Sequence, residues 1–130
     1  MPITYVIDES SGVVLTTASG VLTDQELLEH KRKLTSDSKF RPGMVELSDI
    51  RAITKLAVTN AGIAQFVSQD ASDKAALEGH KLAIVVSDDL AFGMARMYEM
   101  MTSMNIPGVR IFRDINEARS WLGLPDLEGV

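Results

Sequence analysis

Leu82-Ala83-Ile84-Val85-Val86 is the segment that most restricts what this chain can fold into. Five consecutive apolar residues stand between Lys81 and Ser87, and three of them are β-branched. A strand with one face in water alternates apolar and polar residues. A short, uniformly apolar run is instead the pattern of a strand buried on both faces, as in a parallel sheet covered by helices. The run is therefore expected at the centre of such a sheet.

The flanking sequence supplies the other elements. Ile3, Tyr5 and Ile7 alternate with Thr4 and Val6, and Asp8 to Gly12 carries turn chemistry before the β-branched stretch Val13 to Thr17. Two such strands around a five-residue, Gly-containing loop predict an antiparallel hairpin. Thr23-Asp24-Gln25-Glu26 is a capping box, with Leu22 and Leu27 spaced as a hydrophobic staple, so a helix starts there. Met44 to Leu47 predicts a third strand, Asp49 to Lys55 a loop, and Thr59 onward a second helix with Ile63, Phe66 and Val67 on its apolar face. A third helix runs from Asp89 to about Asn105 and stops at Pro107-Gly108. Val109 to Phe112 is the last strand, and Asp114 caps a short helix carrying Ala118, Trp121 and Leu122. The order ββαβαβαβα predicts an α/β fold with a five-stranded, mixed but mainly parallel sheet, organised as a single domain over 1–130.

Composition narrows the function. The 130 residues include 13 Lys+Arg against 18 Asp+Glu, a formal net charge of −5. An acidic chain is poorly suited to nucleic acid, where affinity comes from neutralising phosphates. The absence of cysteine excludes disulfides, thiolate metal sites and a cysteine nucleophile. No stretch approaches the roughly 20 apolar residues of a membrane span, and Met1-Pro2-Ile3-Thr4 does not begin a secretory signal. A cytoplasmic protein without cofactor or metal is expected.

The element order resembles the STAS domain, found in bacterial anti-sigma-factor antagonists and in the tails of sulfate transporters, and in particular its STAS/Sec14-like branch of small bacterial proteins. His80-Lys81-Leu82-Ala83-Ile84-Val85-Val86-Ser87, Phe92 to Glu99, and Val109 to Asp114 followed by Glu117-Ala118 and Trp121-Leu122 carry the resemblance. It implies signalling or binding, not catalysis. Antagonist-type members place a phosphorylated serine at the start of the second helix. Asn60 and Ala61 stand where the two motif serines would be, and neither can take a phosphate. Thr59 is one position off the motif and reads as a helix N-cap.

Parallel sheets bind ligands beyond the carboxyl ends of their strands. Ser48 and Asp49 follow the third strand here, and Ser87 and Asp88 follow the fourth, so these four are the candidate ligand-binding residues. Capping is the competing role for Ser87, Asp88 and Asp114, and a self-satisfied turn for Asp49. His30 pairs with Glu26 at i,i+4 on a solvated face, His80 is a loop residue, and Lys31-Arg32-Lys33 is a solvated run. No Ser-His-Asp or metal-ligand spacing surrounds either histidine. Trp121 reads as the anchor that docks the last helix.

The third helix is apolar around more than half its circumference and holds Met94, Met97, Met100, Met101 and Met104. Adaptable methionine surfaces suit partners or irregular apolar cavities, with thick core packing as the competing account. If the line through Leu90, Met94, Met97, Met101 and Met104 meets the sheet, then Phe92, Ala95, Tyr98 and Met100 face outward as a homodimer interface. The primary expectation is a non-catalytic STAS-type module that binds a protein partner or its own copy. The alternative is a carrier or sensor of a small apolar or lipid-like ligand, which requires a cavity between the third helix and the sheet. An enzyme using Asp49 and Ser87 has least support.

Overall fold

A computed structural model describes residues 2–125, so Met1 and residues 126–130 of the expected domain lie outside the described residues. The elements are β1 (Ile3–Asp8), β2 (Val13–Thr23), α1 (Asp24–Ser36), β3 (Val45–Ala57), α2 (Asn60–Ser72), β4 (Lys81–Val85), α3 (Asp89–Met101), β5 (Gly108–Phe112) and α4 (Ile115–Trp121). The strands form one sheet in the order β1-β2-β3-β4-β5. β1 runs antiparallel to β2, and the other three pairings are parallel. The order ββαβαβαβα and the mixed five-stranded sheet are as the sequence predicts.

Two expectations need correction. The apolar run forms β4, which is interior but lies one place from the edge; β3 is the central strand. Two-sided burial needs neighbours and covering layers on both faces, and the fourth position of five provides them. The loop expected at Asp49 to Lys55 is instead the second half of β3. β2 continues to Thr23 through register shifts at Thr17/Ser19 and Gly20/Val21, so β3 keeps a partner after β4 has ended. Gly20, at φ 71°, adopts the left-handed backbone that lets β2 bend without stopping.

Helix boundaries follow local chemistry. Thr23 caps α1: its Oγ accepts from Glu26 N at 3.3 Å, and its own N–H donates to Glu26 Oε1 at 3.1 Å. Asp88 caps α3 by accepting from Ala91 N at 2.8 Å. Asp114 caps α4 by accepting from Asn116 N and Glu117 N.

The pairing register sorts residues by face. Tyr5, Thr16, Glu46, Leu82 and Val109 share the side covered by α1, α2 and α3. Leu47, Ala83, Val85 and Phe112 share the other, where α4 lays Ala118 and Leu122 against them. Trp121 packs on Phe112 with ring centroids 5.7 Å apart, and the Lys81 ammonium lies 4.5 Å above its indole, so the tryptophan does dock the last helix. α4 does not reach the β1–β2 end of that face, which leaves Val6 and Leu15 exposed.

Candidate functional site

Between α1–α3 and the sheet lies a cavity of about 100 Å³. β3 and β4 form its floor with Glu46, Ser48, Leu82 and Ile84, and α3 closes one side with Ala91, Met94, Ala95 and Tyr98. α1 contributes Leu27, His30 and Lys31, and α2 contributes Ile63 and Phe66. The walls are mostly apolar, with two buried polar clusters built into them.

The first cluster centres on Glu46, which projects from the beginning of the central strand toward the helices and is 2% exposed. Thr16 Oγ1 donates to its Oε2 at 2.7 Å. His30 Nε2 lies 3.2 Å from Oε2, and His80 Nε2 lies 3.2 Å from Oε1. Burial alone would push the Glu46 carboxyl up; the hydrogen bonds and charge of the two histidines overturn that and hold it well below the ordinary value. His80 Nδ1 sits 2.8 Å from the Met44 carbonyl, which can only accept, so Nδ1 carries a proton. Nε2 faces the Glu46 carboxylate, and the contact is an ion pair whenever the ring is protonated. His30 Nε2 faces the same carboxylate, and its Nδ1 is buried with no hydrogen-bond partner.

The second cluster joins the three helices. The Lys31 ammonium lies 2.9 Å from Asp70 Oδ1, with both side chains almost fully buried. Asp70 Oδ2 accepts from Tyr98 Oη at 2.6 Å and Thr102 Oγ1 at 2.8 Å. Burial first, then the Asp70 charge, raises the Tyr98 phenol well above its ordinary range, so it remains a donor.

These findings correct four sequence readings. His30 pairs with Glu46, not with Glu26 in water, and His80 is a core residue. Lys31 leaves the solvated run because Leu28 and Leu34 flank it at i−3 and i+3, which puts it on the buried stripe of α1. Ala95 and Tyr98 do not face outward: they are 8% and 3% exposed. The buried stripe of α3 is Ala91, Ala95, Tyr98 and Thr102, because small alanines admit close approach and the phenol reaches Asp70. Phe92 is half-buried beneath the Arg113 guanidinium, 4.4 Å from the ring, while Met100 is exposed. Leu90, Met101 and Met104, expected against the sheet, are exposed too, whereas Met94 and Met97 are packed against the core.

The four candidate ligand residues are not brought together. Ser48 lines the cavity. Strand alternation sends Asp49 to the opposite face, where Arg51 grips it with two 2.8 Å hydrogen bonds, and this pairing with Arg51 lowers its carboxyl below the usual range. Ser87 donates to the Arg51 carbonyl at 3.2 Å, and Asp88 is the cap of α3. Thr59 caps α2 by accepting from Gly62 N at 2.9 Å, and it also donates to Asp24 Oδ2 at 2.6 Å, with its N–H on Asp24 Oδ1. Among the described residues, no group of three His, Asp or Glu is arranged to hold a metal ion. No described helix is long and apolar enough to cross a membrane.

The architecture defines a class: an α/β protein with a SpoIIAA-like, STAS-type fold. Among solved structures the chain is similar to an uncharacterized protein from the DUF3478 family with a SpoIIAA-like fold, from Shewanella loihica PV-4. The TM-score is 0.58 at 21% identity, covering 92% of this chain and 93% of that one. No protein-family model matches the sequence, and no curated protein does.

Proposed function

We propose that this protein is a non-catalytic STAS-type binding module whose ligand is a small, largely apolar molecule held between α1–α3 and the sheet. The cavity itself carries this reading. It lies where the apolar-ligand alternative requires it, and Met94 gives its wall an adaptable side chain. Binding without turnover fits the side chains present, because Asp49 is neutralised by Arg51 and Glu46 is saturated by three donors. A phosphate switch at α2 is disfavoured as well, since the Asp24 carboxylate occupies the Thr59 hydroxyl and would repel a phosphate there. The test is titration with cyclopentane, followed by methyl NMR. Saturable shifts confined to Leu82, Ile84, Ile63 and Met94 are expected. Shifts confined to exposed methyls would contradict the reading.

A second reading, self-association, rests on the exposed apolar residues at the end of α3. Met100, Met101 and Met104 are 68%, 42% and 83% exposed. Sedimentation velocity at micromolar concentration should then show a dimer that Met104→Lys weakens. A monomer under those conditions removes the reading.

A further inference from the structure

The polar groups in the cavity wall narrow the ligand class, a step that rests on the apolar-site reading above. Lys31 is 2% exposed, and its ammonium has three N–H donors. Asp70 Oδ1 lies 2.9 Å away as its ion-pair partner, and the Phe66 ring is centred 4.9 Å from it. Donor capacity therefore remains in an otherwise apolar enclosure. His30, the adjacent residue of α1, lines the same cavity and offers the complement. With Nε2 on Glu46, its Nδ1 is buried without a hydrogen-bond partner, and a hydroxyl, which both donates and accepts, can serve it in either protonation state. A buried polar group without a partner costs about 1–3 kcal/mol, so a ligand that satisfies one binds more tightly for doing so.

Charge and size exclude other ligands. The Lys31 charge is balanced by Asp70, and the Glu46 carboxylate is already held by Thr16, His30 and His80. A ligand carboxylate or amine would add a buried charge with no counter-ion. The cavity of about 100 Å³ is two-thirds of the roughly 150 Å³ apolar cavity that admits benzene, so about four heavy atoms fit as it stands, and about five or six once Met94 adjusts. We infer that the cavity takes a small uncharged molecule with an apolar body and a single hydroxyl, which Lys31 and His30 engage by hydrogen bonds.

The experiment compares cyclopentane, cyclopentanol and cyclopentylamine, which is protonated at pH 7 and matches the alcohol in size, against the full chain, reading the cavity methyls by NMR. Cyclopentanol should bind roughly fivefold or more tighter than cyclopentane, and the ammonium most weakly. Cyclopentane binding as tightly as the alcohol overturns this inference and leaves the apolar-site reading standing. The ammonium binding tightest also overturns it. Silence from all three overturns both. Pairing Lys31→Met with Asp70→Asn, which keeps an acceptor for Tyr98 and Thr102, should erase the alcohol preference and retain cyclopentane binding. His30→Leu, which leaves the Lys31–Asp70 pair intact, should reduce the preference on its own. An undiminished preference in both variants would show that other groups hold the oxygen.

Discussion

The two faces of the sheet are built on different principles. Under α4, Leu47, Ala83, Val85, Phe112, Ala118 and Leu122 form an apolar cluster with no buried ionisable side chain among the described residues. Under α1–α3, apolar residues share the interior with Lys31, Glu46, Asp70 and His80. Buried ion pairs are seldom the most stable solution, and well-packed apolar replacements often match or exceed them. The α4 side shows that this chain can build a purely apolar layer. The charged interior opposite is thus a departure from what stability alone requires, and it coincides with the cavity.

The largest effect should come from a charge placed in the apolar layer. Val85→Asp, at a site with 0% exposure, is expected to destabilise by about 3–5 kcal/mol in urea unfolding, with no partner to offset it. A variant that melts like wild type would show that the α4 layer tolerates charge, and the contrast between faces would vanish.

On the helix side the comparison is between breaking a pair and removing it. Lys31→Met strands Asp70 and should cost about 3–5 kcal/mol, whereas adding Asp70→Asn should recover at least half of that loss. Equal stability of the single and double variants would mean that Lys31 stabilises through its packed stem and not its charge.

The Glu46 cluster sharpens the contrast through pH. Its carboxyl titrates below the ordinary value of 4.5 when folded, so below 4.5 the unfolded chain binds the proton first. The stability contributed by Glu46 is complete above that value and is lost as pH falls through the depressed folded value. Urea midpoints should therefore hold from pH 7 to about pH 5 and decline below it. Glu46→Gln should flatten that acid limb more than Asp49→Asn, whose carboxyl is lowered at a more exposed position.

The smallest effect concerns how α2 is seated on the helix side. A side chain at Gly62 would collide with the Asp24 carboxylate, so Gly62→Ala should destabilise by about 1–2 kcal/mol despite alanine's better helix propensity. A thermal midpoint at or above that of wild type would show that Asp24 moves aside freely.

Much of the fold was legible because its signals are local. The Thr23 capping box, the Asp88 and Asp114 caps and the unbroken run before Ser87 each act within a few residues. The extension of β3 was not, since Ala52 to Ala57 is strand only because β2 bends at Gly20 to accompany it. The site was hidden for a related reason. Lys31, His30 and Asp70 look solvated as residue types, and only their positions betray them: Lys31 between Leu28 and Leu34, Asp70 four residues after Phe66. Glu46 carried a parity signal, being one carboxylate on a strand whose two neighbours are apolar, but its partners come from 30, 16 and 34 residues away. On α3, helical spacing groups Leu90, Met94, Met97, Met101 and Met104 on one line, and of these only Met94 and Met97 pack against the core. The true inner stripe is set by alanines and by the phenol of Tyr98 that Asp70 receives.

The central claim is that the space between α1–α3 and the sheet is a real apolar binding site. A crystal structure under xenon pressure tests it most directly, because xenon enters apolar cavities without needing a hydrogen bond. The account predicts a xenon atom bounded by Ile84, Phe66 and Met94. Xenon found only elsewhere, with Met94 and Phe66 packed across that space, would contradict it.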